Sequence, residues 1–91
     1  MKDKDPKAVA LKYKRGKDRA PRVTAKGRGR VAEKILELAR HHGVMIEKDS
    51  TLLDALYRLE INEEIPEDLY QVVAEILAFV YRMNKLKRRE P

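Results

Sequence analysis

The sequence has no cysteine and no tryptophan, one phenylalanine, and four residues each of tyrosine, glycine and proline. Without cysteine there is no disulfide, no thiolate catalysis and no Cys-based zinc site. With so few aromatics, a core must be assembled from Leu, Ile, Val and Ala. No long hydrophobic run occurs either. The longest apolar stretch, LYQVVAEILAFVYRM (Leu69–Met83), is broken by Gln71 and Glu75 and is too short to cross a bilayer. The N-terminus is charged and lacks the apolar segment of a secretory signal. These absences predict a soluble, intracellular chain without a transmembrane segment. Its 91 residues allow one small domain of marginal stability.

Charge is plentiful but unevenly placed. Charged residues make up 40% of the chain and hydrophobic residues 43%, with a net charge of +6. Residues 1–40 hold 14 Lys and Arg against 5 Asp and Glu, a net of +9, and residues 41–91 hold 7 against 10, a net of −3. A basic half of this kind suits nucleic acid, an anionic membrane surface or an acidic protein, and it equally suits an ordinary solvated face.

The apolar pattern changes period along the chain. Residues 1–7 are polar and charged and predict a loose leader. In Ala8–Lys14, Val9, Leu11 and Tyr13 alternate with Ala8, Ala10 and Lys12, which predicts a strand whose small residues let a helix pack closely on one face. KRGKDRAP (Lys14–Pro21) reads as a turn, and RVTA (Arg22–Ala25) as a second strand. KGRGR (Lys26–Arg30) leads into a helix whose apolar face is Val31, Ile35, Leu38 and His42, with Ala32 and Ala39 alongside. Gly43 stands where a left-handed C-cap belongs. VMIE (Val44–Glu47) reads as a third strand, making a strand–helix–strand crossover with a parallel pair. Asp49 or Ser50 caps a second helix with a stripe of Leu52, Leu53, Leu56, Tyr57 and Leu59. EINEEIP (Glu60–Pro66) reads as an acidic loop. Pro66 then opens a last helix, in which Leu69, Val72, Val73, Ile76, Leu77, Val80 and Tyr81 recur at helical spacing over about three turns. Basic residues from Lys85 onward favour its C-terminal end. The fold class expected is therefore α/β, a small mixed sheet of about three strands surrounded by helices, in the order β-β-α-β-α-α. The domain spans residues 8–86, followed by a basic tail at 87–91.

Little in the chain points to catalysis. His41 and His42 are adjacent, so on a helix they diverge by about 100° and cannot chelate a metal as an i, i+4 pair would. Glu63 and Glu64 sit in a loop with no His or Lys beside them in sequence. AKGRG (Ala25–Gly29) lies between a strand and a helix, where phosphates bind, but lacks the spacing of a phosphate loop or dinucleotide fingerprint. No enzyme, cofactor or metal is expected. Nucleic-acid binding is the rival function, weakened by Tyr13 being the sole aromatic of the basic half. Ala20 and Pro21 are apolar residues in a charged turn, and together with Ala74 and Leu77 they would form a patch for a peptide partner if the last helix passes by.

In this order AVALKY (Ala8–Tyr13), APRVTAKG (Ala20–Gly27), ALYR (Ala55–Arg58) and EEIPEDLYQVVAEILAFVYR (Glu63–Arg82) resemble the C-terminal cytoplasmic domain of the FlhB, YscU, SpaS and EscU family. That family supplies the substrate-specificity switch of bacterial flagellar and injectisome type III export. The resemblance covers Ala8 to about Arg82. It implies an α/β fold with a small mixed sheet, and membrane helices in full-length members. It also implies an Asn-Pro-Thr-His loop ahead of the AVALKY segment, where the chain cuts itself after Asn by attack of the side-chain amide on its own carbonyl.

Aligned without gaps, that motif falls on Asp3, Lys4, Asp5 and Pro6, and none of the four matches. Shifting Asp5-Pro6 onto Asn-Pro still loses Thr and His, and a carboxylate is a poor nucleophile in the amide's place, so no self-cleavage is expected. The strand that precedes the loop in the family is also missing. The expectation is a stand-alone, non-cleaving docking module of the export apparatus, with an open sheet edge that a partner strand or a second copy fills. The partners implied are export-gate membrane proteins and export substrates, with nucleic acid disfavoured. The location implied is cytoplasmic, peripheral to the inner-membrane export gate. The family's substrate-recognition patch maps onto Ala20, Pro21, Ala74 and Leu77. Lys14, Arg15, Lys17, Arg19, Lys26, Arg28 and Arg30 form a basic surface to steer acidic partners.

Overall fold

The computed structural model describes residues 5–89. Strand β1 (Lys7–Lys12) and strand β2 (Arg22–Arg28) are followed by helix α1 (Arg30–His41), helix α2 (Ser50–Tyr57), a single 3-10 turn (Glu67–Leu69) and helix α3 (Tyr70–Arg89). Asp3 and Lys4, two of the four positions aligned with the cleavage motif, lie outside the described residues, as do Glu90 and Pro91 of the basic tail.

The two strands form an antiparallel ladder with Ala8 opposite Gly27 and Ala10 opposite Ala25. The register then slips by one residue, so that Leu11 faces Val23. Thr24 is the extra residue of this bulge, and its hydroxyl donates to the Ala10 carbonyl at 3.3 Å. The alternation expected over Ala8–Lys14 is realised at Val9 and Leu11, but the strand ends at Lys12 and leaves Tyr13 exposed beyond it. Val9 and Leu11 pack on a core made of Val23, Leu52, Leu56, Leu59, Ile65 and Val73. The small residues accept α1, whose Ala32 is fully buried. At Gly27 the approach is close enough that an added Cβ would stand 2.7 Å from the Val31 Cβ and nearer still to its Cγ1. Only glycine leaves room for the helix at that position.

Five expectations need correction. There is no third strand at Val44–Glu47, and among the described residues the sheet has two strands, all antiparallel, so the order is β-β-α-α-α. The reason lies in how α1 ends. Gly43 takes φ 70°, its N–H returns to the Arg40 carbonyl at 3.2 Å, and the Val44 N–H returns to Ala39 at 2.8 Å. This Schellman closure folds the chain back on the helix, leaving Val44 and Met45 exposed rather than paired.

A second correction concerns β2, which runs on through Lys26, Gly27 and Arg28, residues expected to lie in the connection to α1. Third, the acidic loop pairs with β2, and in the antiparallel sense, not the parallel one expected of the missing strand. Val23 N–H donates to Glu63, Asn62 N–H to Val23 and Ile65 N–H to Pro21, at 2.9, 2.6 and 2.9 Å. Arg22 and Glu64 thereby form an isolated antiparallel bridge along the outer edge of β2.

Fourth, the buried side of α1 is rotated from the one expected. It is Ala32 with half-buried Ile35, Leu36 and Ala39, while Leu38 and His42 face outward and Val31, though largely exposed, lays its side chain over Gly27. The small residues of the sheet leave room for both, with Ala32 fully buried and Val31 packed over Gly27. The last helix is also longer than expected, 20 residues or about 30 Å, and carries the basic residues from Arg82 to Arg89 on helical backbone. Among the described residues no helix is long and apolar enough to cross a membrane.

Candidate functional site

The turn between β1 and β2 determines where the charged residues go. The Lys14 carbonyl accepts from Lys17 and Asp18 N–H, and the Asp18 carboxylate accepts the Lys14 N–H at 2.8 Å. The chain then enters Ala20 and Pro21, both buried. The Ile65 N–H bonded to the Pro21 carbonyl brings buried Ile65 alongside. These three residues floor a groove of about 820 Å³. Its wall is one side of α3, where Tyr70, Ala74, Leu77 and Tyr81 recur at spacings of four, three and four. Ala74 is exposed, and Leu77 is half-buried because it also packs on the core. All four residues singled out as a patch, Ala20, Pro21, Ala74 and Leu77, therefore line one groove.

The rim is basic. Lys14, Arg15, Arg19 and Arg82 line the groove, and among the described residues no acidic one does. The Arg15 guanidinium lies over the Tyr81 ring, 4.4 Å from its centroid, and the Lys85 ammonium lies 5.9 Å from the same ring. Arg19 pairs with Glu64 at 3.4 Å, an exposed contact worth little in water.

The other cations expected on a basic surface divide into two kinds. Lys17 and Arg30 are exposed. Lys26 is half-buried, its ammonium donating to the Tyr57 and Leu59 carbonyls at 3.0 and 2.7 Å and lying 5.3 Å from the Tyr57 ring centroid. It anchors the end of α2 to the sheet and is not part of an exposed basic surface. Arg28 pairs with Asp5 at 3.1 Å, beside the junction where Gly29 N–H donates to the Pro6 carbonyl. Arg22, not anticipated, donates to the Asn62 carbonyl and to Glu64 and so clamps the bridging loop to β2.

The remaining candidates for chemistry are accounted for structurally. His41 and His42 are exposed, their rings edge to face at 5.3 Å. Glu63 accepts the Glu60 N–H at 2.8 Å, and Glu64 is held by Arg19 and Arg22. Among the described residues no three His, Asp or Glu side chains gather as metal ligands would. Ile65, Tyr70, Tyr81 and Arg82 are groove residues that the sequence reading left out. The i, i+4, i+7, i+11 spacing of Tyr70, Ala74, Leu77 and Tyr81 was the signal that could have found two of them.

Comparison with known proteins places this geometry in a family. Residues 6–80 match the profile of the FlhB HrpN YscU SpaS family. The chain is 46% identical over 87 residues to the protein YlqH of Bacillus subtilis (strain 168), covering 93% of this chain and 94% of that one. It is 49% identical over 82 residues to the flagellar biosynthetic protein FlhB of Buchnera aphidicola subsp. Schizaphis graminum, covering 89% of this chain but 22% of that protein. The fold superposes on the crystal structure of the cytoplasmic domain of FlhB from Shewanella putrefaciens with a TM-score of 0.82 and 37% identity, over 93% of this chain and 69% of that one.

Proposed function

The chain belongs to the FlhB HrpN YscU SpaS family, the switch family of flagellar and type III export, and from that premise we propose that it is a docking module of the export apparatus. It spans about a fifth of the FlhB proteins it matches, and its own groove supports the docking role. The observation that carries the reading is the meeting of Ala20 and Pro21 with Ala74 and Leu77 across an open apolar groove. Two separate segments, more than fifty residues apart, converge on one surface, and Ala74 on its wall is exposed and takes no part in the core. An apolar groove with an exposed helical wall suits a peptide segment of an export substrate or of another export component. The test is a pull-down of purified export-gate proteins and export substrates. Ala74→Asp places a carboxylate on the exposed groove wall and leaves the core untouched. It should abolish capture while the thermal melt stays within a few degrees of wild type. Capture undiminished by this variant would move the docking surface elsewhere.

The same module does not cut itself. Asp5-Pro6 is the nearest counterpart of the family's Asn-Pro bond, and Asp5 offers a carboxylate engaged with Arg28 rather than an amide. Mass spectrometry of the purified chain over days at neutral pH should return one intact mass, and a homogeneous, growing cut after Asp5 would overturn this.

A further inference from the structure

We propose that the groove selects for carboxylates, its occupant being a peptide segment with apolar side chains at its centre and Asp or Glu on its flanks. This rests on the docking reading above and adds the chemistry of the ligand. Three of the four rim cations, Lys14, Arg15 and Arg82, make no ion pair with any carboxylate of the described residues, and neither does Lys85 beside them. Two carboxylates beside the rim are already engaged. Asp18 accepts a backbone N–H, and Glu64 holds Arg19 and Arg22.

Arg15 and Lys85 both approach Tyr81, so two positive charges converge on one ring without a counter-ion between them. A guanidinium resting on an aromatic face keeps its N–H edge available for a bidentate carboxylate. The positive rim and the apolar floor of Ala20, Pro21 and Ile65 together match a segment that is acidic outside and apolar inside. A nucleic acid would satisfy the rim but not the floor, and of the three groove tyrosines on which a base could stack, Tyr81, the one beside the free cations, is already covered by Arg15.

The test uses the full chain and fluorescence anisotropy with three labelled peptides of about twelve residues. All share one central Leu/Phe core and are flanked by Glu, by Ser or by Lys. A labelled single-stranded oligonucleotide of similar length is the fourth probe. The Glu-flanked peptide is expected to bind at least tenfold tighter than the Lys-flanked one at about 50 mM salt, and the advantage is expected to shrink severalfold near 0.5 M, where screening is short-ranged. In the double variant Arg15→Gln, Arg82→Gln the ratio between these two peptides should fall to within about twofold. Ala74→Asp should remove binding of all three peptides.

Equal affinity for the three peptides, lost in Ala74→Asp, would overturn carboxylate selection and leave the docking groove standing. Absence of all peptide binding would overturn both. Oligonucleotide binding tighter than that of the Glu-flanked peptide and unaffected by Ala74→Asp would replace the proposal with a nucleic-acid surface.

Discussion

Two residues show how much of this small domain depends on single side chains. Gly27 is required by packing, since its missing Cβ is the space into which Val31 and α1 descend. Gly27→Ala should cost about 1–3 kcal/mol through forced displacement of the helix. For a domain this size that is a fall in Tm of several degrees per kcal/mol, measurable by circular dichroism. Adding Val31→Ala removes the Cγ1 contact but leaves the 2.7 Å approach to the Val31 Cβ, so the pair should recover only part of the loss. Lys26 presents the opposite case, a charge that the sequence assigns to the surface and the fold turns inward. Lys26→Met keeps the aliphatic reach but leaves the carbonyls of Tyr57 and Leu59 without their donor. Chemical denaturation should report a loss of about 1.5–3 kcal/mol, the usual range for a charge-assisted bond of this kind.

Among the elements, α2 is the shortest helix and the most dependent on its start. Its eight residues supply two core leucines, Leu52 and Leu56, and the Asp49 carboxylate accepts the Leu52 N–H at 3.0 Å. Asp49→Ala should destabilise the protein by about 1 kcal/mol, seen as a lower urea midpoint with an unchanged slope, while Asp49→Ser should retain most of the stability.

The Gly43 and Asp49 caps and the existence of the three helices are local signals and were legible in the sequence, whereas the buried side of α1 depends on the sheet it meets and was not. Val44–Glu47 misled because four apolar-rich residues after a helix look the same whether they pair or simply leave a Schellman turn. Residues 62–65 were illegible for the converse reason. Their pairing with β2 is carried by backbone groups, and nothing in the side chains of Asn62, Glu63 and Glu64 announces it. The groove was half legible. Ala20 and Pro21 stand out as apolar residues in a charged turn, whereas Tyr70 and Tyr81 merge into a helix stripe that reads equally well as core.

At the scale of the whole molecule, the chain is a flattened body of 40 × 33 × 20 Å, with the sheet edge, α2 and α3 meeting at Val23 and Val73, its two largest fully buried side chains. Val73→Ala removes two methyl groups from this junction and should cost about 2–3 kcal/mol in a denaturant titration, the transfer loss plus the cavity left behind. Because α3 both covers the core and forms the groove wall, the same variant should weaken groove ligands in proportion to the folded fraction and no further.

The loop laid along β2 has a kinetic counterpart. The amides of Val23, Asn62 and Ile65 are held by partners roughly forty residues away in sequence, so none of them can be protected until both halves of the chain have come together. In hydrogen exchange these three should slow in concert and open in concert, at the rate of global unfolding rather than of local fraying. The Ile65 amide, bonded to Pro21 in the groove floor, would then serve as a clock for the assembly of the binding surface itself.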